Sequence, residues 1–149
     1  MQKLKAIKEI RSFNRYYTNI LGLVDRHILH SPYSLTEVRI LFEIFNNPNS
    51  TARKIQNVLL VDEGYLSRTI DKLTKQGLLT KKRSQSDGRM FFLSLTREGE
   101  EKFLKLNKES EISVASIIDH LAPDEIDEIV SILRRIQELL TKKERGRED

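Results

Sequence analysis

The sequence predicts a mainly α-helical chain with one small β-hairpin set into its second half. Two observations predict this. Apolar residues recur at intervals of three and four along most of the chain, the period of a helix face, and the period switches to two only between Leu78 and Leu95. A third bounds the answer: 149 residues make one domain's worth, enough for a core but not for two independent ones.

From Gln2 to Leu29 the residues Leu4, Ile7, Ile10, Phe13, Tyr17, Ile20, Leu21, Val24 and Ile28 trace one stripe, so a long first helix is expected, stopped by Ser31-Pro32. Ser34 with Glu37 three residues on makes a capping box for a second helix. Its expected buried face is Leu35, Val38, Leu41, Phe42 and Phe45, and Asn46-Asn47-Pro48-Asn49 breaks it. Ser50 or Thr51 caps a short third helix to about Leu59, with Ile55 and either Val58 or Leu59 inward, before a tight turn at Leu60-Val61.

The fourth helix occupies Asp62 to Gly77, with a helix-starting aspartate and a helix-stopping glycine at its ends. Small, hydroxylated and basic residues between them mark an exposed probe, and two short helices joined by a tight turn make a helix-turn-helix. Residues 78–83 and 89–95 read as strands, with Asp87-Gly88 as the hairpin turn. A hairpin there is a wing. Thr96 caps a fifth helix to about His120, with Glu98, Glu100 and Glu101 at the positive end of its dipole. Its apolar set is Phe103, Leu106, Ile112, Ile117, Ile118 and Leu121. Pro123 opens a sixth, whose seam is Ile126, Ile129, Val130, Leu133, Ile136, Leu139 and Leu140. The charged tail from Thr141 is expected to fray.

Charge is unevenly spread. Residues 1–50 carry 7 basic and 4 acidic side chains, 51–89 carry 9 and 4, and 90–149 carry 10 and 14, giving net charges of +3, +5 and −4. The middle segment is the electropositive one, as phosphate binding requires, although a solvated surface strip has the same signature. No apolar run is long enough to span a membrane and the N-terminus has no signal-peptide block, so a cytoplasmic protein is expected. Without cysteine there are no disulfides or thiolate zinc sites. Asn49-Ser50-Thr51 matches a glycosylation acceptor only by accident if the chain is not secreted.

The segment from about Leu35 to Gly99 resembles the MarR family of winged-helix transcription regulators. The carriers are Thr51-Ala52, Asp62-Glu63-Gly64-Tyr65-Leu66-Ser67-Arg68, Leu73 with Gly77-Leu78-Leu79, Asp87-Gly88-Arg89 and Leu95-Thr96-Arg97-Glu98-Gly99. The resemblance implies one domain over 1–149, with a winged helix-turn-helix lobe at 34–99 and N- and C-terminal dimerisation helices at 1–33 and 100–149. It implies a homodimer on a pseudo-palindromic operator in double-stranded DNA, released by a small aromatic or anionic effector. Two departures stand out: Gln56 and Leu60 stand where the pattern has a small alanine and a turn glycine. A left-handed backbone at Leu60 would cost about 1–2 kcal/mol, which leaves the angle between the third and fourth helices open.

A recognition helix enters the major groove by its N-terminal turns, so Glu63, Gly64, Tyr65, Ser67, Arg68 and Thr69 are candidate DNA contacts, with Thr51 at the start of the preceding helix. The Arg68 fork fits guanine or a phosphate, and sequence does not separate the two. Tyr65 suits an outward or an inward role, and Lys72 and Lys75 suit phosphate or solvent. Of Lys81, Lys82 and Arg83, which alternate faces, Lys81 and Arg83 are expected towards the DNA backbone. The family pattern implies that Asp87 holds an arginine, Arg89, for the minor groove. Arg15, Tyr16, Tyr17, His27, Tyr33 and Arg39 are candidates for an effector pocket, or ordinary packing and surface residues.

The first and last helices carry more apolar surface than one small lobe can cover, and a second copy of the chain would cover it. His27 and His30 share a helix face, but two ligands make no metal site, and no cofactor is expected. No nucleophile motif or phosphate-cradling glycine loop points to an enzyme. The competing reading is a winged helix used as a protein-interaction module, its basic strip meeting an acidic partner.

Overall fold

A computed structural model describes residues 2–28 and 31–141, and the side chains among them except those of 23–28. The element order is α1 (Gln2–Ile28), α2 (Leu35–Asn46), α3 (Ala52–Leu59), α4 (Glu63–Lys75), β1 (Leu79–Arg83), β2 (Phe91–Leu95), α5 (Arg97–Ile118) and α6 (Pro123–Thr141). The expected six helices and hairpin are therefore present in order. Leu29 as the end of the first helix and the tail beyond Thr141 lie outside the described residues.

The chain divides into two units, 1–113 and 114–149. In the first, the core gathers Val38, Ile40, Leu41 and Ile44 of α2, Ile55 and Leu59 of α3, Leu66, Ile70 and Leu73 of α4, Leu78, Leu79 and Leu93 around the hairpin, and Phe103 and Leu106 of α5. The buried arc of α2 is turned from the expected one. Ile40 and Ile44 are inside, whereas Leu35 and Phe42 are exposed, Phe42 to 47 %. The compact branched side chains fill the centre, and the bulky rings of Phe42 and Phe45 stand at its edge against Phe103, with centroids 6.1 and 4.7 Å away. In α3 the choice between Val58 and Leu59 falls to Leu59.

Strands β1 and β2 pair antiparallel, with Leu79 opposite Leu95, Lys81 opposite Leu93 and Arg83 opposite Phe91. A short third edge is added by Ser50, which bridges Leu93 through Leu93 N–H to Ser50 O at 2.8 Å and Asn49 N–H to Leu93 O at 3.0 Å. The wing is thus tied to the start of α3. Its connection is longer than the expected two-residue Asp87-Gly88 turn: the strands close at Ser84 N–H to Met90 O, 2.8 Å, and the turn within the loop runs from Asp87 to Met90. The cause is Ser84, whose buried Oγ accepts from the Ser86 and Asp87 N–H groups and draws the loop inward.

On α1 the residues Leu4, Ile7, Ile10, Phe13, Tyr17 and Leu21 are solvent-exposed in the single chain, and Phe13 stacks on Tyr17 at 5.6 Å. In the second unit, α6 starts at Pro123 as expected, its preceding Ala122 N–H held by Glu125 at 2.8 Å. None of its residues is buried in the single chain. No described helix is long and apolar enough to cross a membrane.

Candidate nucleic-acid interface

The candidate interface is built on α4, and both ends of that helix are fixed by the local sequence. Asp62 caps the N-terminus by accepting from Tyr65 N–H at 2.9 Å. At the other end Leu78 N–H reaches Leu73 O and Gly77 N–H reaches Thr74 O, both at 3.0 Å, while Gly77 turns left-handed at φ 77°. That double bond pattern satisfies the last carbonyls and requires a residue tolerant of positive φ.

In front of α4, Thr51 caps α3 by accepting from Lys54 N–H, and Leu60 closes it at φ 53°, ψ 41°. The turn therefore keeps the left-handed conformation that a glycine would adopt freely, although leucine carries it. Leu60 is 82 % exposed, so no burial of its side chain offsets the strain.

With Leu66, Ile70 and Leu73 facing the core, α4 turns Glu63, Tyr65, Ser67, Arg68, Lys72 and Lys75 to solvent. A Cβ added to Gly64 would meet Arg68 Nη1 at 3.1 Å and Asp62 Oδ2 at 3.2 Å, so the guanidinium folds back over the helix start. Thr69 is corrected. It is only 6 % exposed and its hydroxyl donates to Tyr65 O at 2.8 Å, which places it inside the helix packing.

Lys81, expected towards DNA, and Lys72, for which phosphate and solvent were both open, are each paired within the chain. Lys72 Nζ donates to Glu37 Oε1 at 2.8 Å, and the Glu37 hydrogen bond and charge hold the ammonium above the ordinary lysine value. Lys81 pairs with Asp71 of α4. That hydrogen bond, then the Lys81 charge, lowers the Asp71 carboxyl below its ordinary range, with burial opposing and Lys75 assisting. Arg83 lies over the ring of its cross-strand neighbour Phe91, 5.5 Å from the centroid. Lys82 projects from the other face of β1 and has no ion-pair partner among the described residues. Sequence reasoning gave no role to Glu37 beyond its cap or to Asp71. No spacing signal marks either, since their partners lie 35 and 10 residues away.

At the wing tip Asp87 holds Arg89 by its backbone, Arg89 N–H donating to Asp87 Oδ1 at 3.0 Å, and the Arg89 side chain is exposed. Of the effector candidates, Arg15, Tyr16 and Tyr17 are exposed on α1, Arg39 is exposed on α2, and Tyr33 packs against the core edge. The His27 side chain lies outside the described residues. None of the described candidates lines the cleft of about 500 Å³ between the end of α2 and α3 or the one on α6. Among the described residues no group of three or more His, Asp or Glu side chains is placed to hold a metal.

A sequence model described as "MarR family" matches residues 33–91. The chain is 26 % identical over 103 residues to the HTH-type transcriptional regulator BilQ of Clostridium symbiosum, covering 69 % of this chain and 72 % of that one. It is 24 % identical over 131 residues to the uncharacterized HTH-type transcriptional regulator YkoM of Bacillus subtilis, covering 88 % and 85 %. Among solved structures it is similar to Streptococcus pneumoniae FabT in complex with DNA, with a TM-score of 0.75 and 24 % identity over 89 % of this chain and 98 % of that one.

Proposed function

We propose that the chain is a member of the MarR family, whose model matches residues 33–91, and a sequence-specific regulator of transcription that binds double-stranded DNA as a homodimer. The observation that carries this reading is α4 itself, a capped helix whose outer face presents Tyr65, Ser67 and Arg68, together with an exposed wing-tip Arg89. FabT, of the same fold, was solved on DNA. Glu63, Gly64, Tyr65, Ser67 and Arg68 meet the major groove, Thr51 and Lys82 meet phosphate, and Arg89 enters the minor groove. The apolar stripes left open on α1 and α6 support the homodimer. Two-fold symmetry then sets half-sites about 10 base pairs apart on a pseudo-palindromic operator. Release by a small aromatic or anionic effector completes the proposal, the effector acting by binding one arrangement of the two recognition helices more tightly than the other. The site of action is the cytoplasm, and no catalytic activity is part of the reading.

The internal pairing of Lys72 and Lys81 is the observation that favours a protein-interaction module, because it lowers the free positive charge of the lobe. Fluorescence anisotropy with DNA from upstream of the gene, repeated across salt, separates the two. Preference for one site over random duplex, with affinity falling steeply as salt rises, is expected. Equal or absent binding to both duplexes would reject regulation through DNA.

A further inference from the structure

We propose that Glu37 is a positioning residue for DNA binding, its buried carboxylate holding Lys72 as an internal counter-ion so that the pair orients α4 on α2 and withholds one positive charge from the DNA. This rests on the reading of the chain as a DNA binder.

Glu37 is 7 % exposed and is held from two sides. Its Oε2 accepts from Ser34 N–H at 3.4 Å, its own N–H donates to Ser34 Oγ at 3.2 Å, and its Oε1 accepts from Lys72 at 2.8 Å. The capping box thus fixes the carboxylate to the first turn of α2, and the lysine joins that turn to the recognition helix. A carboxylate so far out of water requires a compensating charge. Lys72 is the cation bound to it.

Lys72 lies one helical turn beyond Arg68, on the same side of α4, with about half of its side chain open to solvent. Unpaired, its charge would stand in line with the DNA-reading residues. Paired, it is neutralised within the protein, and a neutralised lysine releases no counter-ion from a phosphate. The pair therefore trades one phosphate contact per protomer for a fixed helix direction.

The test is Glu37→Gln, which keeps the side chain's shape and its ability to accept from Ser34. The slope of log affinity against log salt on the upstream DNA is expected to steepen by about 1 per bound protomer. Adding Lys72→Gln should abolish the gain. A residue with only a structural role would change affinity without changing the slope, so a folded Glu37→Gln protein with a wild-type or shallower slope overturns the proposal. A second measurement needs no DNA: NMR titration of the Lys72 side chain should show a midpoint above that of ordinary lysine in the wild type and a return in Glu37→Gln. An ordinary lysine midpoint in the wild type overturns the pair itself. If the titration shows the pair but the wild type binds no DNA, the DNA reading has failed, and the positioning role falls with it.

Discussion

Gly99 approaches Leu78 so closely that a Cβ at position 99 would lie 2.1 Å from the Leu78 carbonyl oxygen. The contact is backbone on backbone, where the first turn of α5 meets the residue joining α4 to β1. The same carbonyl accepts from Thr96 N–H at 3.0 Å, and Thr96 Oγ1 both donates to Gly77 O and accepts from Gly99 N–H. Helix, wing and recognition helix are thus locked at one point. Gly99→Ala must push α5 off this junction, and a loss of about 3 kcal/mol is expected, read as a lower urea midpoint. A change under about 0.5 kcal/mol, the range of neutral surface substitutions, would mean that the junction is looser than described.

The strained turn predicts the opposite sign. Leu60 is left-handed and exposed, so Leu60→Gly removes strain while giving up little packing. Glycine's larger unfolded-state entropy takes back part of the gain, leaving a stabilisation of about 0.5–1 kcal/mol. Chemical denaturation should show a higher midpoint at unchanged slope.

Asp62 links stability to binding. Asp62→Ala leaves Tyr65 N–H without its acceptor and should cost about 1 kcal/mol. It frays the turn that carries Gly64 and Tyr65, so operator affinity should fall further than stability does. Affinity preserved beside a lowered melting temperature would show that this turn does not read DNA.

Arg68 should behave differently, since it is exposed and no core residue rests on it. Arg68→Ala is expected to weaken DNA binding by about 1–3 kcal/mol with the melting temperature unchanged. Loss on the specific site alone identifies a base contact, whereas equal loss on all duplexes identifies a phosphate contact.

The Asp71–Lys81 pair fixes α4 against the wing strand and predicts a pH dependence. The folded carboxyl is depressed, so its contribution is present above the ordinary aspartate value and is lost as pH falls through the lower, folded one. Both groups are exposed, so the contribution to stability is small. NMR titration of Asp71 should move up towards ordinary aspartate in Lys81→Met, and an unmoved midpoint would show that the pair does not form in solution.

What the sequence determined by itself was most of what neighbours along the chain govern, the longer wing loop drawn in by Ser84 excepted. Ser34, Thr51 and Asp62 as caps, Gly77 as a stop and Pro123 as a start act within one helical turn, so their residue types announce their roles. The two-residue period likewise placed the wing. Tertiary structure alone decided which partners distant residues chose. Phe42 gave up the core to Ile40 and Ile44 because Phe103 offered a place at the edge, and Thr69 turned inward with the packed face of α4. Lys72 and Lys81 went to Glu37 and Asp71. A charge read along the chain is only formal. Which of these cations is left for DNA depends on the acid that folding sets beside it.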